Sequence, residues 1–425
     1  MDIRYSRYSW VFLGIIIWIG TMNNAQRFCI SFIAAGSDLL EDTNTTNTEY
    51  GLITGPAFLL IYAIVTLPMG HIIDKLPRLK WFILGISALF NLATIANALA
   101  ENFLGLLWPR TLLAIFSACL DPACFRLVAL YFPPLMRGIA YGLFIVSVYL
   151  GSSLASLTLI LADLVGWRAS FIIVGAFGGI SSVVLCLFIK DERNILEEDG
   201  FIEKKQKTGV KEDFKEVFKN KTLIITIIAT FFRYTSGFAR GFYEALYFTE
   251  EFPSDKIAFA VVNATATALV PISLITAGRV SDLKEKDDKP KWRPLICAFT
   301  NLFAAPFLYV AYFVPVFWVA MASEYIIFIV GETYISISVA MMMNVSTPRV
   351  RALQSAMLLC ASFLGGSLST VTLGVLNSST EGLRYGLIGI VPTGYLLAGV
   401  LFLQVSKHYP KDLPKNKVLE IPEIE

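Results

Sequence analysis

Residues 70–74 read Gly70-His-Ile-Ile-Asp74, and residues 278–282 read Gly278-Arg-Val-Ser-Asp282. Each closes an apolar run long enough to cross a bilayer, which takes about 20 residues of helix. The two copies stand 208 residues apart. Other marked residues repeat at nearly that offset. Arg137 and Arg351 are 214 apart, Arg27 and Arg240 213, and Asp121 and Glu332 211. Four pairs at nearly one spacing imply two homologous halves, and parallel repeats around a midplane site are a transporter architecture.

Reading outward from these markers gives twelve apolar runs: 10–36, 50–72, 81–100, 104–131, 138–163, 169–190, 222–249, 256–278, 293–313, 315–342, 351–376 and 383–406. The expected fold is an all-α membrane protein with twelve transmembrane helices in two pseudo-symmetric six-helix bundles. The first bundle takes residues 1–190 and the second 222–407. Between them lies a charged linker, 191–221, with a short interfacial helix expected around Glu212–Phe218. A polar tail follows, 408–425.

Composition agrees. Of 425 residues 56% are hydrophobic and 16% charged, where soluble proteins carry about 45–50% and 25%. The mean hydropathy is +0.64. A soluble enzyme is excluded. A net charge of +2 offers no field for polyanions, so no nucleic-acid partner is expected. Two histidines and six cysteines without a Cys-x-x-Cys predict neither a metal site nor a cofactor. There is no Gly-x-x-x-x-Gly-Lys-Ser/Thr loop for ATP.

Lys and Arg gather on cytoplasmic loops. With both termini inside, the inner segments hold 27 of the 35 basic residues. The outer loops hold Arg168, Lys256 and Arg384, and five arginines fall within spans. Both termini and the linker are therefore expected on the cytoplasmic or equivalent side.

An ionisable group inside a span costs at least about 2.5–3.5 kcal/mol, so each needs a reason. The deep charges are Arg27, Arg110, Asp121, Arg126, Arg233, Arg240, Glu244, Glu324 and Glu332, all in the first, fourth, seventh and tenth spans. At about 1.5 Å per residue, Arg27 and Arg240 fall in the outer half, while Asp121 and Glu332 lie about 10 Å deeper toward the inner side. Arg27 and Arg240, joined by Arg233 and Glu244, are the candidate substrate-binding set. Guanidinium groups grip phosphate or carboxylate in bidentate fashion. The competing reading has Glu244 neutralise Arg240 as an i,i+4 pair. Asp121 and Glu332 are candidates for proton coupling, or else for ion pairs with Arg126 or Arg233.

The stretch Gly70-His-Ile-Ile-Asp74-Lys75-Leu-Pro-Arg78-Leu-Lys80 resembles the loop signature of the major facilitator superfamily. Tyr131-Phe132-Pro133-Pro134-Leu-Met-Arg137-Gly138 and Gly166-Trp167-Arg168-x-x-Phe171 are similar to its fourth-to-fifth turn and the start of its sixth span. The resemblance implies that spans one, four, seven and ten line a central cavity. It also implies that Gly70, Asp74, Lys75, Arg78, Arg137, Asp282 and Arg351 form gating loops. Gly331-Glu332-Thr333, Thr347-Pro348-Arg349-Val-Arg351-Ala352 and Ser362-Phe-Leu-Gly365-Gly366-Ser367 resemble Spinster-type lipid transporters. Three positions depart from that pattern: Gln26 stands before Arg27 in place of Asp, Asp121 in place of Glu, and Gly365-Gly366 lacks an Asp. No first-span acid is present to couple a proton.

The function expected is transport by alternating access, facilitative or secondary active. The solute is an organic anion bearing phosphate or carboxylate, with a lysolipid or sphingolipid as the finer reading. The alternative is a non-transporting structural subunit of a larger membrane complex. Expected partners are the lipid bilayer, the small-molecule or lipid anion, protons, and under the alternative, partner subunits. A plasma or endolysosomal membrane is favoured, and the mitochondrial inner membrane stays open. The sidedness is testable. Single cysteines at Thr46 and Lys207 should react with impermeant reagent from opposite faces; labelling from one face overturns the topology.

Overall fold

The computed structural model describes residues 7–73, 76, 78–132, 134–188, 210–286, 289–347, 350–377 and 380–413. Among these, ten helices are long and apolar enough to cross a membrane. One of them, Ala140–Val184, has 45 residues. At 1.5 Å per residue that is about 67 Å, twice the hydrocarbon thickness. It breaks at Gly166, where φ is 79° and ψ 166°. That region is open essentially to glycine alone, so one continuous run becomes the fifth and sixth spans. The first helix, Arg7–Gly36, also has spanning length. Its hydropathy is lowered by the buried Thr21, Asn23, Asn24, Gln26 and Arg27. Twelve helices of spanning length result, six on each side of the linker.

Two spans carry a π-helical turn. In the second span it covers Gly55–Leu60, where Pro56 has no N–H to continue the α ladder. In the tenth it covers Ile327–Gly331, immediately before Glu332. Such turns break the i→i−4 ladder and recur at functional sites. The helix expected near Glu212–Phe218 runs Val210–Lys219. It buries Val217 and leaves Phe218 exposed.

The outer basic residues are all paired. Arg168 reaches Asp42 at 3.4 Å, Arg384 reaches Glu251 at 3.7 Å, and Lys256 joins Asp163. The Lys256 pair crosses from the second bundle to the first. Further clasps lie toward the same face, away from the termini. Ser31 donates to the Gly241 carbonyl (2.9 Å), Tyr50 to that of Phe242 (2.9 Å), Ser153 to that of Ala264 (2.7 Å) and Ser156 to that of Ala260 (3.0 Å). The second and eleventh spans approach backbone to backbone. A Cβ on Gly51 would lie 2.8 Å from the Thr370 carbonyl oxygen and 3.2 Å from the Gly374 Cα. Small residues four apart permit such crossings in membranes.

This contact generates a prediction. Gly51→Leu should prise the two bundles apart on the far face. A disulfide between Asn47→Cys and Asn377→Cys, residues in hydrogen-bond contact and expected to cross-link in the parent background, should then form at least several-fold more slowly. Unchanged cross-linking overturns the clasp.

Candidate functional site

The seventh span, Lys221–Glu251, carries Arg233, Arg240 and Glu244 at helical spacing on one face. Arg240 Nε donates to Glu244 Oε1 at 3.1 Å, and Arg240 Nη2 donates to Glu324. Arg240 Nη1 reaches the Tyr395 hydroxyl at 3.2 Å. Arg233 Nη2 donates to Glu332 Oε1 at 2.6 Å and to Tyr395 at 2.6 Å. It also reaches the Gly331 carbonyl at 3.2 Å, a group at the end of the π turn. The Arg233 guanidinium lies 3.7 Å from the centre of the Tyr395 ring. Tyr312 donates to Glu244 Oε1 at 2.9 Å, and Tyr149, from the first bundle, to Glu332 Oε2 at 3.2 Å.

All five charged residues are buried, from 0% exposed at Arg233 to 8% at Glu332. A charge in such surroundings is tolerated only when paired and hydrogen-bonded. Here two arginines face three carboxyl groups. Five spans contribute side chains to the set: the fifth, seventh, ninth, tenth and twelfth.

The first bundle is built differently. Arg110 is 1% exposed and has no carboxylate: its Nη2 donates to the Arg27 carbonyl at 2.5 Å and its Nη1 to that of Gln26 at 3.3 Å. Its guanidinium sits 4.2 Å from the Phe58 ring centre. Arg27 is 6% exposed. Its guanidinium lies 4.7 Å from the centre of the Tyr62 ring and 5.7 Å from that of Phe58. Its Nε and Nη2 are buried without a hydrogen-bond acceptor. Tyr62 in turn donates to Asp121 Oδ2 at 2.5 Å. Gln26, in place of an acid, is held by neutral groups: it donates to Asn91 at 2.5 Å and accepts from Thr94 at 2.7 Å.

The residues expected to bind substrate thus separate. Arg233, Arg240 and Glu244 belong to one carboxylate-paired network with Glu332, whereas Arg27 in the other bundle has two buried nitrogens without an acceptor. Glu332 is ion-paired with Arg233. Arg126 donates to the carbonyls of Ile73 and Leu76, the latter at 3.0 Å, and so holds the chain around the expected gating loop. Asp282 pairs with Arg293 at 2.5 Å, which also contacts Glu285. Arg78 is exposed at the start of the third span. Asp74 and Lys75 lie outside the described residues, as do the surroundings of Gly70, Arg137 and Arg351.

The tyrosines at 62, 149, 312 and 395 were missed in the sequence. An aromatic in a span carries no penalty that would mark it, unlike a charge.

The two arginines of the repeat should respond differently to truncation. Arg240→Ala leaves buried carboxylates unpaired, which costs about 3–5 kcal/mol. Its melting temperature in detergent should fall sharply. Arg27→Ala removes two unsatisfied donors and two ring contacts but leaves no carboxylate unpaired, and should lose clearly less. Equal losses in both variants would sink this division.

The Major Facilitator Superfamily pattern matches residues 16–370. An MFS-type efflux pump of Mycolicibacterium smegmatis is 22% identical over 416 residues, covering 96% of this chain and 95% of that protein. Protein spinster homolog 1 of Xenopus tropicalis is 22% identical over 449 residues, covering 94% and 82%. A crystal structure of a bacterial homologue of the human lysosomal transporter Spinster superposes with a TM-score of 0.81 at 21% identity, covering 97% of this chain and 99% of that one. With twelve helices in two bundles and a match over most of its length, this chain belongs to the Major Facilitator Superfamily of membrane transporters.

Proposed function

We propose that the chain moves an organic anion across its membrane by alternating access, with Arg27 as the anion's principal contact. One observation carries this reading: two buried nitrogens of Arg27 have no acceptor. A buried donor left unmade costs about 1–3 kcal/mol, more for a charged group. A phosphate or carboxylate supplies the missing acceptors, and the planar fork suits either in bidentate geometry. Arg110, which also lacks a carboxylate, adds to the positive potential there. The aromatic wall of Phe58, Tyr62 and Phe242 beside the two arginines accommodates apolar substituents. That wall favours a lipid-like anion, such as a lysolipid or a sphingolipid, over a small sugar.

Arg240 takes a different part in this reading. Its donors are engaged with Glu244, Glu324 and Tyr395, so it organises the second bundle, and Arg233 and Glu332 brace it. With the far face clasped, the anion reaches Arg27 from the side of the termini, which we take as cytoplasmic.

Proteoliposomes test the proposal. Lysophosphatidate serves as the phosphate-bearing lipid probe and glycerol phosphate as the soluble one. Uptake of either in the parent, lost in Arg27→Ala, is expected. Arg27→Lys should lose about tenfold or more, because charge-assisted bonds of about 1.5–3 kcal/mol depend on the fork. Undiminished uptake by Arg27→Ala overturns the assignment.

A further inference from the structure

The second bundle contains an unbalanced charge. Arg233 and Arg240 are two fixed cations, since guanidinium does not lose its proton in proteins. Around them stand Glu244, Glu324 and Glu332, all at most 8% exposed. If all three carboxyl groups are ionised the cluster carries one net negative charge in the membrane interior. Such a charge is expelled or neutralised.

The hydrogen bonds locate the odd carboxyl. Glu332 is satisfied at both oxygens, by Arg233 and Tyr395 at Oε1 and by Tyr149 at Oε2. Glu244 Oε1 accepts from both Arg240 and Tyr312. Glu324 differs. One oxygen accepts from Arg240, while the other, Oε1, is buried with no donor. A carboxylate oxygen so placed is the costliest atom in the cluster to leave ionised. Glu244 and Glu324 both accept from the Arg240 guanidinium, at its Nε and Nη2, so the two carboxyl groups flank one cation. A proton between them converts a repulsive pair into a donor and an acceptor, as in carboxyl dyads elsewhere.

We propose that Glu324 and Glu244 together bind one exchangeable proton beside Arg240, making the second bundle, rather than Asp121, the proton-binding site of this transporter. The groups facing the pair are Arg240 and Arg233 from the seventh span, Tyr312 from the ninth, Glu332 from the tenth, Tyr395 from the twelfth and Tyr149 from the first bundle. A proton suits the site better than a metal cation. Among the described residues no group of three or more His, Cys, Asp or Glu is placed to hold a metal, and Glu332 is already saturated.

The charge count also gives the proton a role. The protonated cluster is neutral and stable while shut away from water. Once the proton leaves, one net charge remains, and that form is tolerated only where water reaches it. Release and uptake of the proton therefore follow which side the cavity faces. This role rests on the alternating-access reading; the site itself does not.

Infrared spectroscopy of the purified protein in lipid, at neutral pH, needs no substrate. The parent should show the C=O stretch of a buried protonated carboxylic acid. Labelling with 13C-glutamate should shift that band, and 13C-aspartate should leave it in place. Both parent measurements stand even if a variant fails to fold. Glu324→Gln and Glu244→Gln should each abolish the band, because the remaining two carboxyls then balance two arginines. Asp121→Asn should keep it. Absence of the band in the parent, a shift with 13C-aspartate only, or a band that persists in both glutamine variants overturns the proposal. Transport of the anion probes by a protein without the band would leave the Arg27 reading standing while this one fails.

Discussion

The ion pair between Arg240 and its two glutamates is the interaction on which the second bundle depends. Water solvates charge strongly, and the bilayer interior does not. A guanidinium there must find partners or drive the helix out of register. Arg240 finds them on its own span at Glu244 and across the bundle at Glu324 and Tyr395. The same demand orients Arg233 against Glu332 and the freed Gly331 carbonyl. Apolar packing between membrane helices is weakly specific, because lipid is as apolar as leucine. Charged hydrogen bonds supply the register that such packing leaves open.

The first bundle answers the same constraint with different chemistry. Arg110 is satisfied by main-chain carbonyls of the first span, and Gln26 by an amide and a hydroxyl on the third. These bonds fix helices without adding negative charge. The result is a bundle with surplus positive charge facing one with surplus carboxyl groups. A repeat of two similar halves is thus electrically asymmetric.

The spans, the two-fold repeat and the positions of the charges were legible in the sequence because each follows from a large cost. Bilayer thickness sets the length of an apolar run, and a charge inside one stands out. What was hidden is a matter of pairing. Arg27 and Arg240 occupy equivalent places, 213 residues apart, yet one is enclosed by carboxylates and the other is left with free donors. Which oxygen comes to which arginine depends on the crossing of the seventh, tenth and twelfth spans, and no linear spacing records it. Tyr395, whose hydroxyl meets Arg233 and Arg240, is one of 17 tyrosines and looks no different from those that merely pack. Both π turns escaped as well: the second span's Pro56 marks a lost donor without saying how the ladder adjusts, and the tenth span's Ile327–Gly331 has no such breaker.

The bracing also has a mechanical consequence. Arg233 is attached to the tenth span both at a side chain and at the backbone, and to the twelfth through Tyr395. Three helices so cross-linked resist shear and behave as a stiff frame. Across the bundle boundary, inward of the Lys256–Asp163 pair, the fifth and eighth spans meet through single hydroxyl-to-carbonyl bonds, Ser153 to Ala264 and Ser156 to Ala260. Neutral hydroxyls can trade one carbonyl for the next along a helix at little expense. Inward of that ion pair the boundary between the fifth and eighth spans is thus the softer joint, set beside a rigid frame.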